Sequence, residues 1–126
     1  MTTVFLSGSR NISRLNEDIR ARLDKIVNNN LDVIVGDANG ADKALQTYFA
    51  KLNYPRVTVF CSGTTCRNNQ GGWAERHIAA PPKLKGRDFF AIKDKAMAEL
   101  ADYGLVIWDG KSAGSIANVL ELTRLN

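Results

Sequence analysis

Three short loops hold the residues of this chain that could do chemistry: Gly8-Ser9-Arg10, Gly36-Asp37-Ala38-Asn39-Gly40-Ala41-Asp42 and Asp109-Gly110-Lys111-Ser112-Ala113-Gly114-Ser115. Backbone amides at Gly8, Gly36, Gly40, Gly110 and Gly114, with the hydroxyls of Ser9, Ser112 and Ser115, offer several hydrogen-bond donors to one phosphate. Asp37, Asp42 and Asp109 could accept from sugar hydroxyls or act as catalytic acids and bases. Arg10 stands where a phosphate clamp would sit, although an arginine there also serves surface ion pairs. Asp42 could equally cap the helix it opens, and Asp109 could simply satisfy turn amides.

Each loop follows an apolar run, Val4-Phe5-Leu6, Val33-Ile34-Val35 or Leu105-Val106-Ile107-Trp108, and leads into a helical pattern. That alternation predicts a Rossmann-like, doubly wound parallel sheet in three α/β/α layers, with about four to five strands. The loops would then share the carboxyl rim of the sheet, where ligands of such folds bind. Strands are expected at residues 3–7, 32–35, 56–60 and 103–108. Helices are expected at residues 13–28, capped by Ser13, and at 40–52, 88–101 and 113–125. The first carries Leu15, Ile19, Leu23, Ile26 and Val27 on one stripe and ends at Asn28-Asn29-Asn30, since asparagine tolerates the left-handed conformation. The third would turn Phe89, Ala96, Met97 and Leu100 inward. A doubly wound sheet normally places one more strand after the last helix; its absence reads as a truncation or as an edge completed by a partner chain, with a homodimer as one such arrangement.

The 126 residues suit one domain, 1–126, and 44% hydrophobic with 24% charged residues is ordinary for a globular chain. No apolar run has membrane length and no basic-then-apolar leader opens the chain, so a cytoplasmic location and no membrane partner are expected. The net charge of +4 is concentrated between Arg67 and Lys95, where seven basic residues face three acidic ones. Such an excess suits an anionic small molecule or nucleic acid, or is a solvated basic face. Residues 62–87 hold glycines and prolines without a sustained period. They read as a flap over the rim, with a short helix around residues 73–77 anchored by Trp73, or as an insertion without a role in binding. Within it, Arg67 and Arg76 could meet phosphate on closure or stay solvated, and His77 has no evident partner. Cys61 and Cys66 stand five apart with His77, the only histidine, further on. Zinc sites usually have four ligands at tighter spacing, so no metal centre is expected, and the cysteines are expected as reduced thiols rather than a disulfide. No cofactor or metal is implied.

Gly8-Ser9-Arg10, Gly36 to Asp42, Met97-Ala98-Glu99-Leu100-Ala101-Asp102 and Asp109 to Ser115 occur in that order. The set resembles the SLOG superfamily, in particular its small YspA-like members. That superfamily also holds the LOG phosphoribohydrolases and the Rossmann-like core of DNA-processing protein A. The resemblance implies a nucleotide or nucleotide-derived ligand. Gly8, Ser9 and Arg10 would line its first loop, Gly36, Gly40 and Asp42 its second, and Gly110, Ser112, Gly114 and Ser115 the phosphate-cradling turn. Two positions depart from the LOG pattern. The acid that follows the turn there is replaced by Ile116-Ala117-Asn118, and the arginine four residues before Met97 is Lys93.

Three functions follow as expectations. The first is a sensor or ligand-binding module, with phosphate on residues 110–115, the sugar near Asp37 and Asp42, and Arg10 and Lys93 balancing charge. The second is a nucleotide N-glycosidase using Asp37, Asp42 or Asp109. The third is single-stranded nucleic-acid binding through the basic flap, with stacking on Trp73.

Overall fold

The computed structural model describes residues 2–8, 12, 14–79, 86–108 and 118–124. Strand β1 (Thr3–Gly8) leads through helix α1 (Glu17–Asn28) to β2 (Asp32–Gly36), and α2 (Ala41–Lys51) leads to β3 (Val57–Ser62). Strand β4 (Ala74–Ile78), helix α3 (Gly86–Leu100), β5 (Tyr103–Trp108) and β6 (Asn118–Arg124) complete the order. The strands form one sheet in the order β4-β3-β2-β1-β5-β6. Five are parallel, and β6 runs antiparallel to β5 with an irregularity between Val106 and Ile107.

The order explains the layers. From β1 to β3 the chain steps in one direction, and right-handed crossovers put α1 and α2 on one face. From β4 it returns to the far side of β1, so the same handedness puts α3 on the opposite face. Strand side chains alternate accordingly. Val4, Leu6, Val33, Val35, Val57, Val59, Leu105 and Ile107 pack with Ile19, Leu23, Leu45 and Phe49 of α1 and α2. Ile34 and Phe60 pack with Met97 and Ala101 on the α3 side. A strand buried on both faces needs the continuous apolar run that the sequence shows at residues 33–35.

The predicted doubly wound fold is present, with six strands rather than four to five. Three elements differ from expectation. Residues 118–124 form a strand where a helix was expected. Val119 and Thr123 are β-branched, and over seven residues helical and alternating patterns overlap, so pairing with the open edge of β5 decides the outcome. Residues 74–78 are likewise a strand, not a short helix: Glu75 and His77 share one face, and the edge of β3 supplies backbone partners. Helix α1 begins at Glu17, where the Asn16 side chain accepts a hydrogen bond from the Ile19 amide at 2.9 Å; Ser13 lies outside the described residues. Its end is as expected, with Asn30 left-handed at φ 54°. On α3, Met97 is buried as expected but Leu100 is exposed. Among the described residues, no helix is long and apolar enough to cross a membrane.

Candidate functional site

The carboxyl ends of β1, β2 and β5 meet at one place. Gly8, the last residue of β1, is paired with Ile107 of β5. A methyl group on Gly8 would come within 2.5 Å of the Ile107 side chain and 2.7 Å of Ala41 Cβ. Only glycine fits there, and its backbone therefore touches both the end of β5 and the first residue of α2. Because β1 and β5 are where the strand order reverses, this is the topological switch point of the sheet, the usual ligand crevice of such folds. The continuing segments, with Ser9, Arg10, Asp109, Gly110, Ser112, Gly114 and Ser115, lie outside the described residues.

The turn between β2 and α2 is held by buried polar groups. Asp37 is 1% exposed. Its carboxylate accepts from the Arg67 amide at 2.9 Å, from Arg67 Nη2 at 2.9 Å and Nε at 3.3 Å, and from Lys93 Nζ at 3.4 Å. Burial opposes its ionisation, but the Arg67 hydrogen bonds and the Lys93 charge outweigh that, so its pKa lies below the usual carboxylate value. With those donors engaged, Asp37 anchors the turn as a carboxylate.

Asp42 differs. It lies in the first turn of α2, 8% exposed, and accepts from the Ala38 amide at 3.1 Å. Burial pushes its pKa up to about 6, with Lys93 and the Ala38 hydrogen bond pulling the other way and the charges of Asp94 and Asp37 adding to the rise. A methyl on Gly36 would come within 2.5 Å of the Asp42 carboxylate and 2.8 Å of Lys93 Nζ, so both groups converge over bare backbone. Asp94, 3.7 Å from the same ammonium, also has a raised pKa, chiefly through desolvation. Gly40 caps α2 at φ 87° without a side-chain hydrogen bond to the helix amides.

Of the predicted site residues, the structure brings Gly36, Asp37, Gly40, Asp42 and Lys93 together, with Gly8 reaching the start of α2. Lys93, expected with Arg10 to balance charge at the site, is buried between the carboxylates of Asp37 and Asp94. Arg67, read as a phosphate-meeting or solvated loop cation, is instead paired with Asp37. Sequence reasoning missed two residues. Gln46, fully buried in α2, donates to the carbonyls of Gly36 at 2.7 Å and Asn68 at 3.2 Å, and accepts from the Gln70 amide at 2.9 Å. Asn68 donates to the Asp37 carbonyl at 2.8 Å and to Asn39 Oδ1 at 3.0 Å. A glutamine on the apolar stripe of α2 was the available signal, since a buried amide requires partners.

Residues 67–70, expected as part of a flap, are therefore held against the rim, and the loop then runs to Trp73 at the amino ends of the strands. Trp73 is anchored as expected, its indole N–H donating to the Tyr54 carbonyl at 2.8 Å. Cys61 and Cys66, expected as reduced thiols, form a disulfide, because the loop after β3 returns and leaves their Cα atoms 5.2 Å apart. His77 does have partners: Nδ1 lies 3.0 Å from the Gly63 carbonyl oxygen and Nε2 3.1 Å from Glu75 Oε1. A groove of about 1050 Å³ opens elsewhere, lined by Thr3, Asp32, Tyr54, Arg56, Trp73 and Arg76 among others. It includes the amino ends of β1, β2 and β3, away from the switch point, and its size alone does not outweigh the buried polar groups of the rim.

Comparison with family models, curated proteins and solved structures finds no match to this chain. What the site does is read from its own residues.

Proposed function

We propose that the chain binds a nucleotide or nucleotide-derived ligand at the carboxyl rim of the sheet, as a sensor or ligand-binding module. The observation that carries this reading is the meeting of β1, β5 and α2 at Gly8. It supports a shared origin for the three glycine-containing loops, the arrangement that lets amides and hydroxyls from several elements surround one phosphate. In this reading residues 110–115 take the phosphate and Asp42 faces the sugar. Asp37, Arg67 and Lys93 hold the turn in shape.

A panel of nucleoside monophosphates, ADP-ribose and NAD, read by thermal shift and by mass spectrometry of the recovered compound, tests it. Stabilisation by a compound recovered intact is the expected result. Gly114→Glu, which puts a carboxylate where the phosphate would sit, should abolish that stabilisation and leave the unliganded melting curve unchanged. Unaltered affinity in this variant would falsify the placement of the phosphate.

Asp42 favours a second reading. A carboxyl with a pKa of about 6 can hold and release a proton near neutrality, as a general acid or base must. Release of a free base from any compound of the panel, lost in Asp42→Asn, would make the protein a nucleotide N-glycosidase.

A further inference from the structure

The parallel pairing of β3 with β4 sets Cys61 directly beside His77, on the sheet face shared with Val57 and Val59. The loop after β3 brings Cys66 back to the same point. Ligand atoms of Cys61, Cys66 and His77 all lie within 4.8 Å of one another, close enough for one ion to reach all three. The cluster grades from core to solvent: Cys61 is buried, Cys66 half-buried and His77 exposed. An ion could thus enter from the histidine side.

The imidazole is oriented from both nitrogens, by the Gly63 carbonyl and by the Glu75 carboxylate. Whichever nitrogen bound a metal, the other would keep an oxygen partner. Metal-ligating histidines characteristically have such a partner, which fixes the ring and raises its basicity.

We propose that Cys61, Cys66 and His77 form a site for a thiophilic divalent cation of the zinc type, and that the disulfide and the metal are alternative occupants of it. An external dithiol supplies two electrons and two protons, breaks the Sγ–Sγ bond and is itself oxidised to a disulfide. Two thiols remain. Binding the dication then releases both thiol protons to solvent, while neutral His77 gives one nitrogen lone pair. Two thiolates balance the charge of the ion, and three protein ligands leave a fourth tetrahedral position for water. Thiolate and imidazole donors select zinc-like ions over the hard cations magnesium and calcium. Cys66 immediately precedes Arg67, which holds Asp37, so either occupant clips the segment that completes the rim. The proposal does not depend on what the rim binds.

The test is titration with cobalt(II), a coloured stand-in for zinc. The full chain is first reduced by a phosphine, which transfers oxygen from water to phosphorus, and the phosphine is then removed. One cobalt per reduced chain, with a thiolate-to-metal charge-transfer band displaced by zinc, is expected. The oxidised chain should show no such band, and neither should Cys61→Ser or Cys66→Ser. His77→Ala changes an exposed side chain, so it should fold normally as the disulfide. Once reduced, it should bind cobalt about a hundredfold more weakly or worse. Circular dichroism follows the fold throughout. Should reduction unfold the metal-free chain, zinc must restore its melting transition in the parent and not in His77→Ala. Absence of a stoichiometric band, or equal affinity in His77→Ala, overturns the proposal.

Discussion

The two carboxylates that bracket the β2–α2 turn share a buried setting and the Lys93 ammonium, yet they ionise in opposite directions. Asp37 receives three hydrogen bonds from Arg67 and one from Lys93, and its pKa falls below the ordinary value. Asp42 receives the Ala38 amide and the field of Lys93, and its pKa rises to about 6. Burial is the largest influence on both. Asp42 is the more deeply desolvated of the two and has fewer donors on its oxygens, and together these decide which carboxylate keeps its charge. One side of the turn is a fixed anion, and the other is a proton reservoir at the start of a helix.

The largest test removes what the two share. Lys93→Met replaces the buried ammonium with an apolar side chain of similar length. Asp37 keeps Arg67, but Asp42 and Asp94 lose the cation between them. Breaking a buried ion pair on one side costs about 3–5 kcal/mol, so urea denaturation at pH 7.5 should show a loss of that order. The Asp42 pKa should also climb further above about 6, as carboxyl-selective NMR titration would report. A loss no larger than that of a surface substitution would mean that the cluster is hydrated and the comparison empty.

Asp42→Asn gives the next largest effect, and its sign depends on pH. The folded pKa is raised from 3.8 to about 6, so the native state holds a proton that the unfolded chain has already lost. The favourable contribution of Asp42 is complete below about pH 4 and disappears as pH rises through 6. Asparagine keeps the shape and removes the titration. The stabilities of variant and parent should therefore draw apart in favour of the variant between pH 4 and 7, by about 1–3 kcal/mol. Asp37, with its depressed pKa, contributes in the opposite sense: its stability is present above pH 4 and is lost on acidification. A constant gap between parent and Asp42→Asn across this range would contradict the raised pKa.

How far the sequence revealed this arrangement differs between local and long-range features. The β1, β2 and β5 runs, each apolar and followed by a glycine turn, were readable because neighbouring strands of a parallel sheet are apolar along their length, although of the three only β2 is buried on both faces. The clustering of Gly36, Asp37, Gly40 and Asp42 follows from adjacency in the chain. Strands β4 and β6 were not readable, since edge strands are held by backbone pairing to a neighbour that local periodicity does not reveal. Arg67 on Asp37, Gln46 beneath Gly36 and His77 beside Cys61 are consequences of that unseen pairing and of the loop packed by it. Separations of 30 residues between Arg67 and Asp37, and 56 between Lys93 and Asp37, put these partners beyond any spacing rule.

Arg67→Ala sharpens the comparison with the smallest expected change. It removes the two guanidinium bonds to Asp37 and leaves the backbone amide of residue 67, which donates to Asp37 Oδ2 at 2.9 Å. Lys93 also remains. The arginine side chain is 33% exposed, so solvent already screens part of its attraction. The loss at pH 7.5 should accordingly be about 1 kcal/mol, well below that of Lys93→Met. The effect on acid stability is more specific. With fewer donors Asp37 moves back toward Asp42 in behaviour, its pKa rises, and the acid-induced loss of stability begins at higher pH. Chemical denaturation at a series of pH values between 3 and 7 would show this as a shifted acid limb. If the limb stays in place, Lys93 and the residue 67 amide alone keep Asp37 ionised, and the contrast between the two carboxylates rests on the backbone of the returning loop rather than on the guanidinium.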